Sequence, residues 1–304
     1  MRGRGLRRRT STATTNRQPD LKPPGGLRCR YCRGVGFFEQ LRRSWAVSNS
    51  LLCVGLDPDP ARLPDGLGSS SDAVFRFCKE IVDATADVVC AFKPQIAYFA
   101  SQGAERALER VCMYVRETYP DVTLVLDSKR GDIGSTAEHY AREAFVRYGA
   151  HAATVNPYLG VDSIAPYFEL GGGVIVVCRT SNVGGDAIQM LDCAGRPLYV
   201  RIAELVAGEW AQLGDCGLVV GATYPAELGV VRDVVGDLPI LVPGVGAQGG
   251  DPRAAVAAGA TPDGRGLLIS ASRSVIYASS GRDFAEAARR EAIDTRLQAL
   301  PAGW

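Results

Sequence analysis

The chain has 304 residues, 46% of them apolar and 22% charged, which excludes a disordered or fibrous chain and leaves ample material for a core. The formal net charge of +1 hides an asymmetry. Ten of the 34 Lys and Arg fall in residues 1–35 against the single Asp20, leaving 24 basic and 32 acidic residues for the remainder, a mildly acidic body that excludes a general basic surface for nucleic acid.

In chain order, residues 1–36 read as a basic N-terminal extension, expected to be disordered because it cannot bury enough apolar surface to order itself. It lacks the apolar core of a secretory signal, and Val35 is read as an alternative start. Cys29 and Cys32 form a lone CxxC there. A zinc site needs a second ligand pair at matching spacing, and none follows. The nine cysteines are odd in number and scattered, which suggests reduced thiols and a cytoplasmic protein. No stretch approaches the roughly 18 uninterrupted apolar residues of a membrane span. His139 and His151 are the only histidines, so a His-based triad or histidine-rich metal site is poorly supported, and both are read as structural.

From about residue 37 a regular alternation begins. Strands are predicted at 51–56 (LLCVGL), 88–93 (VVCAFK), 123–127 (TLVLD) and 152–156 (AATVN), then at 174–178 (VIVVC), 217–221 (GLVVG), 239–244 (PILVPG) and 266–270 (GLLIS). Helices are predicted near 71–86, 103–118, 135–148, 161–169, 197–213, 225–235, 251–258 and 282–299. The strands are continuous apolar runs, as parallel strands buried on both faces are. Cys53, Cys90 and Cys178 fall inside them and read as core. Eight strand–helix units predict one (β/α)8 TIM barrel over residues 37–304, with a doubly wound open sheet as the rival.

In a TIM barrel the C-terminal strand ends form one ring that carries the active site. The residues at those ends are Asp57, Lys93, Asp127 with Lys129, Asn156, Arg179-Thr180-Ser181-Asn182, Thr223, Pro243-Gly244 and Ser272-Arg273. Asp127 and Lys129 are two apart, so on an extended chain they project to one side, and Lys93 from the neighbouring strand faces them. The result is a Lys–Asp–Lys row in which each charge compensates the next. A purely structural ion-pair network at the rim is the plain alternative. Arg130 points the other way and is expected to be solvated. Asp132 lies beyond the strand in a glycine-containing turn. The segment VPGVGAQGGD (242–251) with SASRS (270–274) supplies close-approaching backbone N–H groups and the guanidinium of Arg273, the usual phosphate grip of this fold.

The motifs FKPQIAYF (92–99), LDSKRGDIGST (126–136), CRTSN (178–182), VPGVGAQGGD and ASRSVIYA (271–278) occur in order at barrel-compatible spacing. Together they resemble orotidine 5′-monophosphate decarboxylases, in particular their longer bacterial branch, over residues 37–300. The resemblance implies decarboxylation of orotidine 5′-monophosphate to UMP and CO2 without cofactor or metal. It makes Lys129 the proton donor to C6 of the pyrimidine, places Asp127 beside the substrate carboxylate, and has Lys93 orient Asp127 and the ribose. It also implies a homodimer with shared active sites, in which Asp132 and Thr136 reach into the partner's site. Asp57 would bind ribose hydroxyls and Ser181 the pyrimidine edge. Gln248 and Arg273 would bind the phosphate, with Pro243 and Ser272 also expected at the substrate. Neither nucleic acid nor membrane is expected as a partner. Two rivals remain: a Mg²⁺-dependent sugar-phosphate aldolase or decarboxylase, against which the cationic Lys93 argues, and a catalytically inactive barrel that binds through its basic tail.

Overall fold

The computed structural model describes residues 35–304 except 65, 69, 247, 248, 302 and 303. The expected tail, with Cys29 and Cys32, lies outside the described residues apart from Val35 and Gly36. Eight parallel strands close into a barrel in sequence order. They are β1 Leu52–Leu56, β2 Ala91–Pro94, β3 Thr123–Arg130, β4 Ala152–Val155, β5 Gly173–Arg179, β6 Cys216–Val220, β7 Ile240–Pro243 and β8 Leu267–Ala271. The open-sheet rival fails because β1 pairs with both β2 and β8. Nearly every strand residue is buried: one face fills the barrel interior and the other packs under the helices, which is why the runs are apolar without alternation. Burial pushes the thiols of Cys53, Cys90 and Cys178 upward, Cys53 to about 12, so these groups are structural and unreactive.

The predicted helices are present with altered ends. The segment predicted at 135–148 is an α-helix over Gly134–Arg142 that widens into a π turn over Glu143–Arg147. That predicted at 161–169 divides into a 3-10 turn, Val161–Ser163, and a short helix, Ala165–Glu169. One helix not predicted from the sequence, Phe37–Ser48, precedes β1. It closes the end of the barrel opposite the mouth, since all its partners lie at N-terminal strand ends. Phe37 packs on Gly173, where any Cβ would sit 2.4 Å from the ring. Ser44 Oγ lies 2.8 Å from Thr123 Oγ1, and the Trp45 indole donates to the Leu267 carbonyl at 3.0 Å. Burying Phe37, Leu41 and Trp45 contributes about 1.5–3 kcal/mol for each side chain.

His151 is structural, as expected. Its Nδ1 accepts the Leu124 N–H at 2.8 Å at the start of the β3–β4 pairing, and burial drives its pKa well below the ordinary 6.5. A depressed folded value means the unfolded chain binds the extra proton first, so the stability His151 confers is present above about pH 6.5 and is lost as pH falls. His151→Ala is expected to cost about 1–3 kcal/mol at pH 7.5 by orphaning that N–H. It should also flatten the dependence of the urea midpoint on pH between 7 and 5. An unchanged slope would show that some other group governs acid stability.

Candidate active site

Strand β3 carries the centre of the mouth. Leu124, Val125 and Leu126 are buried in the barrel, and the next residue, Asp127, is only 5% exposed. A carboxylate so placed is tolerated only if compensated, and three groups surround it. Lys93 Nζ, itself on a residue 5% exposed, lies 2.9 Å from Oδ2. Lys129 Nζ lies 2.5 Å from Oδ1, and the Thr154 hydroxyl donates to the same oxygen at 2.8 Å. Burial opposes charge on Asp127, but the two ammonium groups outweigh it and hold the carboxyl well below its ordinary range. Burial likewise opposes charge on Lys93, yet Asp127 and then Asp57 outweigh it and raise the lysine above its ordinary value. Both groups are therefore charged across the neutral range. The Lys129 side chain is 44% exposed, so its ammonium faces the open mouth while its counter-ion is buried.

Lys129 reaches this row by a different route from simple alternation. The β3–β4 register shifts between Leu126 and Arg130, and Lys129 has φ +46°, a left-handed conformation that costs a non-glycine residue about 1–2 kcal/mol. Thr154 Oγ1 holds the bulge by accepting the N–H groups of Ser128 and Lys129 at 2.9 and 3.0 Å. One hydroxyl on β4 thus shapes the backbone under Lys129 and braces Asp127. Sequence reasoning missed Thr154, whose only signal was a hydroxyl in an otherwise apolar strand end.

Arg130 leaves the row as expected but is only partly solvated. It pairs with Glu143 at 3.2 Å and its guanidinium lies 4.7 Å from the Tyr140 ring centre. The helix that begins at Gly134 comes close enough to cover it, a contact that strand alternation alone does not reveal. Asp132 stays outside the row: it accepts its neighbour's N–H from Ile133 at 2.8 Å and makes no ion pair among the described residues. Thr136 is exposed on the first turn of the same helix, and Ile133 between them is 59% exposed.

At the end of β1, the strand paired with β2, Asp57 Oδ2 accepts from Ser272 Oγ at 2.5 Å, and Oδ1 is buried with no protein partner among the described residues. Ser272 comes this close because Gly55 has no side chain; a Cβ there would lie 2.7 Å from that of Ser272. The serine therefore holds Asp57, a role the sequence did not suggest. Tyr277 adds to this by accepting the Asp59 N–H at 2.5 Å and donating to the Asp57 carbonyl at 3.0 Å. Pro243 ends β7, and the chain turns at Gly244 and Gly246, with φ +99° and +72°, values open mainly to glycine. Arg273 opens the next short helix, is exposed, and forms no ion pair among the described residues. Gln248 lies outside the described residues. Ser181 follows β5, against Gly221 at the end of β6.

A closed parallel barrel whose mouth holds a braced Lys–Asp–Lys row, with an exposed arginine and a glycine turn at other strand ends, is a (β/α)8 barrel whose charged groups gather where that fold carries its active site. Residues 50–290 match the model of the orotidine 5′-phosphate decarboxylase / HUMPS family, and the chain belongs to that family. It is 60% identical over 263 residues to the orotidine 5′-phosphate decarboxylase of Ralstonia pickettii (strain 12J), covering 86% of this chain and 97% of that one. The corresponding protein of Janthinobacterium sp. (strain Marseille) is 57% identical over 261 residues, covering 86% and 96%. Among solved structures, a putative orotidine-monophosphate-decarboxylase from Toxoplasma gondii superposes with a TM-score of 0.77 at 39% identity, covering 88% of this chain and 98% of that one.

Proposed function

We propose that this chain decarboxylates orotidine 5′-monophosphate to UMP and CO2, with Lys129 as the proton donor. The activity rests on relatives of 56–60% identity that carry the name orotidine 5′-phosphate decarboxylase. The observation that carries the mechanism is the Lys129 ammonium, held 2.5 Å from buried Asp127 yet open to the mouth. In the reaction the bond from C6 to the carboxylate breaks and its electron pair stays on C6. CO2 departs, Lys129 delivers a proton to C6, and the lysine is reprotonated from solvent. A fixed ammonium beside C6 stabilises charge that exists only near the transition state, and it needs no reorganisation when that charge appears.

Asp127 stands beside the departing carboxylate, and Lys93 orients Asp127 and the ribose. Asp57 binds ribose hydroxyls through its unpartnered Oδ1, with Ser272 at its back. Ser181 meets the pyrimidine edge. Arg273, Gln248 and the Pro243–Gly244 turn receive the phosphate, whose binding energy far from C6 positions the ring. The protein works as a homodimer in the cytoplasm. The half-buried Asp132 and the exposed Thr136, flanking exposed Ile133, reach into the partner's site. No helix among the described residues is long and apolar enough to cross a membrane.

The test is the loss of orotidine 5′-monophosphate absorbance with EDTA present. A metal-dependent sugar-phosphate barrel would need carboxylates where this mouth has Lys93, so the decay rate is expected to be the same with and without chelator. No decay by a folded protein would overturn the assignment in favour of the metal-dependent sugar-phosphate reading, and decay lost to EDTA and restored by Mg²⁺ would overturn the metal-free mechanism.

A further inference from the structure

Arg179 ends β5 and is the largest fully buried side chain among the described residues, although the proposed reaction gives it no task. Its guanidinium pairs with Asp186 at 2.7 Å, donates to Gln189 Oε1 at 3.2 Å and lies 3.8 Å from the ring centre of Tyr224, which caps the helix Pro225–Val235 after β6. Nε has no partner among the described residues. A buried charge is expensive, and this one is used to pull the segment after β5 back over the strand end.

The returning segment makes one dense set of contacts. Gln189, on the short helix Asp186–Gln189, grips Thr180 twice: its Oε1 accepts the Thr180 N–H at 2.9 Å, and its Nε2 donates to Thr180 Oγ1 at 2.7 Å. The Thr180 hydroxyl in turn donates to Asn182 Oδ1 at 2.7 Å. Gly185 lets the loop fold this tightly, since a Cβ there would lie 2.9 Å from Thr180 Oγ1. Across the barrel end, a Cβ on Gly221 would lie 2.9 Å from the Ser181 nitrogen. Ser181 is thus the residue bracketed on both sides, by Thr180 and Asn182, with β6 beneath it.

We propose that Gln189, anchored by Arg179, is a positioning residue that sets Ser181 against the pyrimidine edge and so contributes to recognition of the nucleobase rather than of the ribose phosphate. The proposal rests on the reading of Ser181 given above. A single amide that binds both the backbone and the side chain of Thr180 fixes the direction in which the next residue leaves the strand, and misplacing one hydrogen-bonding group by a fraction of an ångström weakens it steeply.

The experiment uses the full-length enzyme and two competitive inhibitors: UMP, which carries the base, and ribose 5-phosphate, which does not. Gln189→Ala is expected to weaken UMP by about tenfold or more, the loss of one hydrogen bond to a polar group, while ribose 5-phosphate inhibits as before. Gln189→Glu keeps the acceptor for the Thr180 N–H and for Arg179, and is expected to recover part of the loss. A merely structural role would weaken both inhibitors together, and that result would overturn the proposal.

A double-mutant cycle with Ser181→Ala separates the two readings. If Gln189 acts through Ser181, Gln189→Ala has little further effect on UMP once Ser181 is alanine. Fully additive losses would overturn the positioning role. Wild-type behaviour of Gln189→Ala beside a defective Ser181→Ala would overturn it while leaving Ser181 at the base. Wild-type behaviour of Ser181→Ala would remove Ser181 from the site and this proposal with it.

Discussion

Lys129→Ala is expected to lower kcat for orotidine 5′-monophosphate by about 10⁴-fold or more, with KM changed far less. Positioned proton transfer contributes about 10²–10⁴-fold, and one preorganised group facing developing charge about 10²–10³-fold. The two roles fall on the same ammonium. The fall belongs to kcat because the phosphate and ribose contacts, which hold the substrate before reaction, do not involve Lys129. The fold should survive, since Asp127 keeps Lys93 at 2.9 Å and Thr154 at 2.8 Å. Steady-state kinetics beside a thermal melt decides it. A variant retaining a tenth of the wild-type kcat would remove Lys129 from the chemistry.

For Asp127→Asn the largest expected effect falls on stability as well as activity. The substitution leaves Lys93 buried without its main counter-ion, and breaking a buried pair in this way costs about 3–5 kcal/mol, a fall in Tm of roughly ten degrees for a domain of this size. The pH dependence gives a sharper test. In the wild type, Asp127 titrates below its ordinary 3.8, so its contribution is present above about pH 4 and lost as pH falls. Lys93 titrates above its ordinary 10.5, so its contribution is complete below that value and lost as pH rises through the folded one. Between these limits the pair adds no slope. In the variant, burial acts on Lys93 with less opposition and pushes its pKa down. The neutral amine then suits the interior, and stability should recover as pH rises. Urea midpoints at pH 6, 7.5 and 9 should climb for Asp127→Asn while this pair leaves the wild type flat. Parallel curves would mean that Asp57 alone suffices to compensate Lys93, and the row as described would be wrong.

The strands were legible because burial on both faces leaves a local signature, a short uninterrupted apolar run such as 174–178, and eight of these in alternation with helices admit few topologies. The ring of polar strand ends followed from that topology. What stayed hidden depends on contacts remote in sequence. The helix Phe37–Ser48 does carry apolar residues at 37, 41 and 45, but it precedes the first strand–helix unit, and its task of closing the barrel floor is defined only by Gly173, Thr123 and Leu267. The bulge at Lys129 has no glycine to mark it; the Thr154 hydroxyl on the next strand makes it affordable. The bond from Ser272 to Asp57 depends on the missing side chain at Gly55, 217 residues away, which no local pattern marks. Arg130 looked solvated because its partner Glu143 comes from a helix whose approach no periodicity encodes.

The same floor helix ties together the two ends of the chain. Trp45 bonds to the carbonyl of Leu267, 222 residues away, and β1 finds its second neighbour only in β8. On the ribosome, then, the first strand waits with one edge unpaired while the 215 residues from Asp57 to Ala271 are made, roughly 10–45 s at about 5–20 residues per second. Open edges of that kind invite pairing with other nascent chains. The barrel's stability therefore arrives late and all at once, and its vulnerable period is its own synthesis.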